Sequence, residues 1–259
     1  MSAPGPQRVL ITGGGGGIGL GLAQAFAARG DRVAVCDAEP AAVAHAGETL
    51  PAGSIVREAD VTDEAAMAAF LGEVETAWGG IDVVCANAGT GGPAGRIEDL
   101  DYGAWQACVA ANLHGAFLTC RWAARLMRAQ KSGLIVLTSS TAGLFGYPLR
   151  SPYASAKWAI VGLTKTLAME LGPDGVRVNA ICPGAVEGPR MDRVVAREAA
   201  ASGKSETEVR AQYVRSVSMR SWVNVDDIAE TVLFLASPAA KRISGQIMAI
   251  DGHTETLVP

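Results

Sequence analysis

Short apolar runs alternate along the chain with longer stretches in which apolar residues recur every three or four positions. Short apolar runs are typical of buried strands, and the longer spacing is typical of helices that cover a sheet. The pattern predicts strands at residues 8–12, 32–36, 54–59, 81–86, 134–137, 176–184 and 246–250. It predicts helices at residues 18–29, 63–78, 102–129, 151–171 and 224–236. Because strands and helices alternate, we expect a parallel sheet with helices on both faces.

Five consecutive glycines, residues 13–17, separate the first strand from the first helix. Gly13, Gly17 and Gly19 permit a tight turn and a close approach of the backbone to a ligand. The helix that follows offers free N–H groups and a partial positive charge to a pyrophosphate. A flexible linker would also be rich in glycine, but linkers do not separate a buried strand from an amphipathic helix. The turn therefore predicts a dinucleotide-binding site.

Acidic residues follow the second and third strands. Asp37 comes about eighteen residues after the last glycine of the turn, where a carboxylate can accept hydrogen bonds from both ribose hydroxyls of an adenosine. NADP would place a phosphate against this carboxylate, so Asp37 favours NAD. The alternative for Asp37 is a cap on the following helix, and the alternative for Asp60 is a turn at the end of a strand.

The glycine turn and the strand pattern together indicate a single-domain α/β fold, a Rossmann-type doubly wound parallel sheet of about seven strands. The chain has 259 residues, 49% of them apolar, and no linker composition, so one domain over residues 1–259 is expected. We expect a dinucleotide-binding half at about 7–130 and a catalytic and substrate-binding half at about 131–259. Within the second half, residues 185–223 are long and polar and predict short helices over the mouth of the site.

A tyrosine and a lysine lie four positions apart at the start of the helix predicted at 151–171. Ser151 and Pro152 are typical of an N-cap and a first helical position. On a helix Tyr153 and Lys157 share a face, and a nearby ammonium lowers the pKa of a tyrosine because it favours the phenolate. Tyr153 is therefore a candidate general acid or base, although the same short pattern also occurs by chance on protein surfaces.

The surroundings of this pair resemble those in the short-chain dehydrogenase/reductase family. Three small residues separate Tyr153 from Lys157, and Ser140 follows an apolar strand thirteen residues before the tyrosine. Residues 12–19 have the form TGxxxGxG of the family's dinucleotide turn. The resemblance also covers Asp60, Asn87-Ala88-Gly89, Asn112, Pro183-Gly184 and the last strand with Asp251-Gly252.

The resemblance implies an activity, hydride transfer between a secondary alcohol or its ketone and NAD. Tyr153 would move the hydroxyl proton and Ser140 would orient the substrate oxygen. Lys157 would lower the pKa of Tyr153 and bind the nicotinamide ribose, while Asn112 would hold a water that links Lys157 to solvent. For Asn112 alone, a hydrogen bond to a neighbouring carbonyl is the alternative. The residues expected to contact NAD are Gly13, Gly17, Ile18, Gly19, Asp37, Asp60, Val61, Asn87, Ala88, Gly89, Tyr153, Lys157, Pro183, Gly184 and Val186.

Two positions depart from the family's pattern. Ala86 lies where the family usually has the first asparagine of Asn-Asn-Ala-Gly. Gly188 lies where it often has a threonine that contacts the nicotinamide carboxamide, so that contact is in doubt.

The expected walls of the substrate pocket, residues 90–94 and 141–150, are mostly apolar and contain one charge. This composition favours an apolar alcohol or ketone. Arg150 or Arg190 would then contact an anionic group of the substrate, if it has one.

Composition and charge limit the partners of the chain. The formal net charge is −4 and no basic face is present, which argues against nucleic acid or an anionic membrane. We find neither a targeting segment nor the roughly 18 apolar residues of a membrane span, so a cytoplasmic protein is expected. Five separated cysteines and three isolated histidines predict buried, reduced thiols and no metal site.

Other functions of the same fold remain open. An NADPH-dependent ketone or 3-oxoacyl reductase is one alternative, and a protein that binds NAD without turnover is another, although such a protein would not need four catalytic groups. A nucleotide-sugar epimerase would need a sizeable carboxyl-terminal substrate domain, for which no residues remain after Asp251. Because the family commonly forms tetramers through the helices that carry Asn112 and Tyr153 and through the last strand, we expect a homotetramer or a homodimer.

Overall fold

A single sheet of seven parallel strands forms the centre of the protein in the computed structural model, which describes residues 5–257. The side chains at positions 190, 197, 198, 201 and 202 lie outside that description. The strands are β1 (Arg8–Thr12), β2 (Arg32–Asp37), β3 (Ile55–Glu58), β4 (Val83–Ala86), β5 (Gly133–Thr138), β6 (Val176–Pro183) and β7 (Ile247–Ile250). Their order across the sheet is β3-β2-β1-β4-β5-β6-β7. The predicted seven-stranded, doubly wound sheet is thereby confirmed.

Helices cover both faces of this sheet. They are α1 (Gly17–Ala28), α2 (Pro40–Thr49), α3 (Glu64–Trp78), α4 (Tyr102–Val109), α5 (Gly115–Gln130), α6 (Ser151–Leu171), α7 (Pro189–Ser202), α8 (Glu206–Arg215) and α9 (Val225–Ala236). Side chains of α3, α5 and α6 fill the core on one face, and those of α1 and α9 fill it on the other. The predicted cap at Asn224 is present: α9 begins directly after it and ends at Ala236, and Asn224 forms a capping box with Asp227.

The direction of strand addition reverses between β1 and β4, which are neighbours in the sheet. From β1 the chain builds outward through β2 to β3, then returns to place β4 on the other side of β1. The loops after β1 and β4 therefore diverge to opposite faces and leave a crevice at the carboxyl ends of the strands. Open α/β sheets bind their ligands at such a reversal.

The long helix predicted at 102–129 is interrupted by a π-helical segment, Ala110–His114, between α4 and α5. Asn112 lies within it, and its side-chain amide donates to the carbonyl oxygen of Cys108, one turn earlier, at 2.9 Å. At the end of the segment, Gly115 passes so near Val61 that a Cβ would lie 2.6 Å from the valine side chain. Single π turns inside α-helices are frequent at functional sites.

Helix α6 begins one residue earlier than the sequence predicts, at Ser151 instead of Pro152. Ser151 is its first helical residue rather than its N-cap; Arg150 occupies the cap position and makes no side-chain capping bond. The physical reason lies just before the helix, where Leu149 has a left-handed conformation with φ of 62°. That residue turns the chain, and helical geometry can start only after Arg150.

Residues 185–223 contain the helices α7 and α8, as predicted. Val195, Ala199 and Val209 form a small separate core between them, with Tyr213 and Trp222 packed at its edge. Backbone bonds between Glu187 and Val223, and between Val223 and Ala185, close the two ends of this segment together. The segment is also joined to the chain after β7, because Ser218 and Met219 donate to the carbonyl oxygens of His253 and Gly252.

All five cysteines are buried, and the structure joins none of them in a disulfide bond. Among residues 5–257, no group of three or more His, Cys, Asp or Glu residues is placed to hold a metal ion. Within the same range, none of the helices combines the length and apolar character that crossing a bilayer requires.

The glycine turn offers a stability test. An added Cβ at Gly19 would lie 2.0 Å from the carbonyl oxygen of Gly13, whereas Gly47 in α2 has nothing within 4 Å. We expect Gly19→Ala to destabilise the protein by about 1–3 kcal/mol, because the turn backbone must move. Gly47→Ala is the matched control and should stabilise by about 0.5–1 kcal/mol, because alanine favours the helix. Urea unfolding followed by circular dichroism measures both, and equal midpoints for the two variants would contradict the close approach.

Candidate active site

Threonine and asparagine side chains join the carboxyl ends of three strands. The hydroxyl of Thr12, at the end of β1, accepts hydrogen bonds from the backbone N–H groups of Asn87 and Ala88, each at 3.1 Å. The amide of Asn87 donates to the carbonyl oxygen of Thr12 at 3.1 Å and accepts from the hydroxyl of Thr138 at 3.1 Å. This network fixes the floor of the crevice between β1, β4 and β5.

Two glycines of the turn after β1 adopt left-handed conformations, with φ of 64° at Gly13 and 50° at Gly17. The turn is packed on one side and open on the other. A Cβ at Gly14 would lie 2.5 Å from Val35, and one at Gly15 would lie 2.6 Å from Ala42. A Cβ at Gly16 or Gly17 would meet nothing within 4 Å. The open side lies at the N-terminus of α1, where helix N–H groups are free to bind an anion.

Asp37 is tied to the glycine turn. One carboxylate oxygen accepts from the N–H of Gly15 at 3.0 Å, and the other accepts from the N–H of Glu39 at 3.2 Å. The side chain does not cap α2, because the N-cap of that helix is Glu39 and it makes no side-chain capping bond. The helix-cap alternative left open by the sequence is therefore not what the structure shows. A carboxylate can accept about four hydrogen bonds, so these two leave acceptor capacity for a ligand.

Asp60 and Val61 follow β3 with different surroundings. The carboxylate of Asp60 is exposed and accepts from the backbone N–H and the hydroxyl of Thr62, both at 2.8 Å. Val61 is buried against Gly115 at the end of the π-helical segment. The turn alternative for Asp60 is what the structure shows, and a contact of either residue with NAD stays a prediction.

Lys157 is buried on α6 with only 3% of its surface exposed. Its ammonium donates to the carbonyl oxygen of Thr138 at 2.9 Å and lies 5.6 Å from the centre of the Tyr153 ring. Ser139 donates to the backbone carbonyl oxygen of Lys157 at 2.8 Å, which joins β5 to α6. The predicted sharing of one helix face by Tyr153 and Lys157 is therefore present.

Asn112 is 1% exposed and has a polar atom without a partner. Its amide nitrogen donates to the carbonyl oxygens of Thr90 and Cys108 at 2.8 and 2.9 Å. Its Oδ1 is buried and accepts no hydrogen bond from the described residues. A Cβ at Gly89 would lie 2.4 Å from this oxygen and 3.4 Å from the Lys157 ammonium. The asparagine oxygen and the lysine nitrogen thus face the same point beside Gly89.

Ser140 follows β5 and caps a short 3-10 turn, with its hydroxyl accepting from the N–H of Ala142 at 3.1 Å. That turn packs tightly on α6, since a Cβ at Gly143 would lie 2.7 Å from the carbonyl oxygen of Lys157. The structure therefore brings Asn112, Tyr153 and Lys157 together and holds Ser140 on the turn beside them.

Pro183 ends β6, and Gly184 donates to the carbonyl oxygen of Ile250 at 3.0 Å. Val186 pairs with Val223 at the neck of residues 185–223. Gly188 has φ of 138° and ψ of 176°, a conformation that is essentially restricted to glycine. This backbone geometry gives a physical reason for the absence of the family's threonine here.

Arg150 and Arg190 were predicted to contact an anionic group of the substrate. Arg150 donates to the carbonyl oxygen of Gly91 at 2.8 Å, at the expected pocket wall. The Arg190 side chain lies outside the described residues. An open hollow of about 420 Å³ lies next to this wall, between Arg96-Ile97-Glu98 and Tyr147-Pro148-Leu149, but none of Ser140, Tyr153 and Lys157 lines it.

Sequence reasoning missed Thr12, Thr138 and Ser139 as parts of the site. Each is a polar residue at the carboxyl end of an apolar strand, and each is less than one-tenth exposed. Polar residues at the ends of β1 and β5, which lie on either side of β4, were a usable signal, because parallel strands end at the same edge of the sheet.

Comparison with known proteins agrees with this arrangement. The profile of a family described as enoyl-(acyl carrier protein) reductase matches residues 14–253. The 2-(S)-hydroxypropyl-CoM dehydrogenase 3 of Xanthobacter autotrophicus is 35% identical over 247 residues, which are 94% of this chain and 94% of that protein. The chain belongs to the short-chain dehydrogenase/reductase family.

Solved structures of similar proteins superpose on this short-chain dehydrogenase/reductase over nearly its whole length. An NAD⁺-bound xylitol dehydrogenase is 31% identical, with a TM-score of 0.89 over 95% of this chain and 98% of that one. An actinorhodin polyketide ketoreductase with NADPH is 29% identical, with a TM-score of 0.91 over 97% of this chain and 98% of that one. The fold is thus shared by proteins whose structures hold different nicotinamide dinucleotides.

Proposed function

We propose that this short-chain dehydrogenase/reductase is an NAD-dependent oxidoreductase that transfers a hydride between a secondary alcohol, or its ketone, and nicotinamide. The observation that carries the proposal is the buried Lys157 ammonium, 5.6 Å from the Tyr153 ring and facing the same point as the Asn112 side-chain oxygen. A buried cation beside a phenol equips the phenol to accept a proton. Relatives named as dehydrogenases of hydroxyl compounds and as a ketoreductase support the same reaction class.

The residues at the carboxyl edge of the sheet fit a nicotinamide dinucleotide. The open turn at Gly16 and Gly17, at the start of α1, would hold the pyrophosphate. Asp37 retains acceptor capacity for the ribose hydroxyls, and the unpartnered Asn112 Oδ1 can accept a further hydrogen bond in the site. The other residues proposed to line the dinucleotide are Gly13, Ile18, Gly19, Asp60, Val61, Asn87, Ala88, Gly89, Pro183, Gly184 and Val186. When bound, NAD accepts the hydride from the carbinol carbon.

The chain's own residues supply the proton chemistry. Tyr153 as phenolate takes the hydroxyl proton of the alcohol during oxidation and returns it during reduction. Lys157 stabilises that phenolate by its charge and would also bind the nicotinamide ribose. Ser140 orients the substrate oxygen, and Asn112 holds the water through which the proton leaves toward solvent. Residues 185–223 and the walls at 90–94 and 141–150 exclude bulk water from this step.

Two alternatives share the fold. An NADPH-dependent ketone or 3-oxoacyl reductase is favoured by the likeness to the NADPH-bound ketoreductase, and cofactor preference separates it from our proposal. A protein that binds NAD without turnover is disfavoured because it would not require the four groups Ser140, Tyr153, Lys157 and Asn112. A change in the absorbance of the cofactor with a panel of alcohols and ketones separates enzyme from binder.

We further propose that the protein is a cytoplasmic homotetramer assembled through the helix that carries Asn112, through α6 and through β7. Large apolar side chains are exposed on two of these helices: Phe117 on α5 is 49% exposed, and Trp158 and Met169 on α6 are 49% and 80% exposed. These exposed side chains support the proposal, because large apolar groups are enriched at interfaces.

Replacing the proposed base tests the mechanism. We expect Tyr153→Phe to lower kcat by roughly a hundredfold to ten-thousandfold, because the proton loses its acceptor, while NAD affinity stays nearly unchanged. Tyr102→Phe is a matched control, since Tyr102 is 71% exposed on α4. Steady-state kinetics and calorimetric titration with NAD measure the two quantities. A Tyr153→Phe enzyme that keeps turnover within tenfold would refute the assignment.

Replacing the carboxylate at the end of β2 tests cofactor choice. Two unit charges about 4 Å apart repel by about 4 kcal/mol at an effective dielectric near 20. If half or all of this repulsion remains after relaxation and screening by water, the wild type favours NAD by roughly thirtyfold to a thousandfold in kcat/KM. Asp37→Asn should reduce the preference, because it removes the charge and can keep an oxygen acceptor for the Gly15 N–H. Asp37→Ala also removes that acceptor, so activity with both dinucleotides should fall.

The measurement is kcat/KM with NAD and with NADP in each variant. Glu48→Gln, an exposed neutralisation on α2, controls for net charge. Equal values for the two dinucleotides in the wild type would show that Asp37 serves only as a cap on the turn.

Light scattering coupled to gel filtration tests the assembly. We expect a mass four times that of one chain at micromolar concentration, and a smaller species for Trp158→Glu, because a charge would then lie in the interface. A wild-type monomer under these conditions contradicts the proposed tetramer.

A further inference from the structure

Arg150 links three parts of the active-site wall. Its guanidinium donates through Nη2 to the carbonyl oxygen of Gly91 at 2.8 Å, in the loop after β4. Its Cζ lies 5.5 Å from the centre of the Tyr147 ring and 5.7 Å from the centre of the Tyr153 ring. Its backbone carbonyl accepts the first helical bond of α6, from Ala154 at 2.9 Å. One side chain therefore spans the loop, the segment before α6 and the proposed base.

A second hydrogen bond joins the backbone next to Arg150 to the loop after β4. Leu149 adopts a left-handed φ of 62°, which is unfavourable for a branched side chain and persists only where surrounding contacts impose it. The carbonyl oxygen of Leu149 accepts from the N–H of Gly95 at 2.9 Å. With the bond from Arg150 to Gly91, the loop after β4 is joined to the start of α6 at two points.

We propose that Arg150 is a positioning residue for Tyr153: it fixes the loop after β4 to the start of α6 and holds a second cation beside the tyrosine ring. The inference rests on the proposed function in that Tyr153 is taken as the group that moves the proton. The residue acts on the reaction through Tyr153 and through the pocket wall.

The charges around the Tyr153 ring predict the direction in which Arg150 shifts the ionisation of the phenol. Lys157, on the same helix, lies 5.6 Å from the ring centre, and Arg150 lies at 5.7 Å. Two uncharged groups lie close by: the Tyr147 phenol, whose ring centre is 5.5 Å from the Arg150 Cζ, and the Cys108 thiol of α4, which faces the loop at Gly92. Arg96 and Glu98, of opposite charge, lie across the hollow from Tyr147. Cations favour the phenolate over the phenol. Loss of Arg150 should thus move the ionisation of Tyr153 to higher pH.

The same contacts bear on the hypothesis that Arg150 binds an anionic group of the substrate. Nη2 is directed at a backbone carbonyl, and Nε is buried without a hydrogen-bond partner among the described residues. Both of these N–H groups therefore point into the protein wall. If Arg150 bound the substrate, its loss would raise KM for acidic substrates alone. If Arg150 is a positioning residue, its loss changes the ionisation of Tyr153 and so affects every substrate.

The deciding experiment titrates Tyr153 without requiring turnover. Ultraviolet difference absorbance of tyrosinate is recorded against pH for wild type, Arg150→Met and Arg150→Lys, and the curve of Tyr153→Phe is subtracted from the wild-type curve. For each Arg150 variant the same subtraction uses the matching double variant with Tyr153→Phe. We expect the midpoint to rise by roughly one pH unit in Arg150→Met. Arg150→Lys should shift it less, because a cation is kept.

Kinetics with NAD complete the test. For a neutral secondary alcohol that the wild type oxidises, Arg150→Met should lower kcat about tenfold or more at neutral pH and move the kcat/KM profile to higher pH, since less phenolate is present. Arg96→Met is the matched control, an exposed arginine of the same loop, and should change neither the midpoint nor the profile. Thermal unfolding checks that each variant is folded, and Arg150→Gln, which also removes the charge, replaces Arg150→Met if the latter does not fold.

An unchanged Tyr153 midpoint in the folded Arg150 variants overturns the proposal, whatever the kinetics show. Unchanged kinetics with neutral alcohols, together with a raised KM for carboxylate-bearing alcohols, would instead assign Arg150 to substrate recognition. If the wild type oxidises no alcohol with NAD, the proposed function fails, and the titration still decides whether Arg150 controls Tyr153.

Discussion

A buried ammonium group is the constraint on which the active site depends. Lys157 is almost fully enclosed, and removing a charge from water is costly unless polar groups replace the lost hydration. The carbonyl oxygen of Thr138 supplies one such group, and the Tyr153 ring and the Asn112 oxygen lie nearby. The end of β5, the turn after it and the π-helical segment must therefore keep their positions for the lysine to remain charged in its site.

The π-helical segment carries Asn112, the polar residue that faces Lys157 from the neighbouring helix. Within this segment the amide nitrogen of Asn112 donates to the carbonyl oxygens of Cys108 and Thr90. With both amide hydrogens used in this way, only the oxygen is left to face Lys157 and Gly89. These two bonds set the orientation of the amide, which presents an acceptor rather than a donor to the ammonium.

The sequence predicted the strands, the main helices and the sheet because each depends on local apolar periodicity and on glycine at a turn. It also singled out Tyr153 and Lys157, since spacing of four residues on a helix fixes their common face. It could not predict the π turn at Asn112, the left-handed Leu149 or the bond between Asp37 and Gly15. Each of these arises from contact between segments far apart in the chain, and no local pattern encodes such contacts.

The glycine turn has a consequence for how the protein can evolve. Val35 and Ala42 close the space beside Gly14 and Gly15, while Gly16 faces open space, and Asp37 lies across the turn from it. If the turn and Asp37 bind the dinucleotide as proposed, substitutions at positions 16 and 37 alter which dinucleotide is accepted without disturbing the groups on β5 and α6. Cofactor choice and substrate chemistry would then be separately inherited traits of one domain, and a lineage could exchange one while it keeps the other.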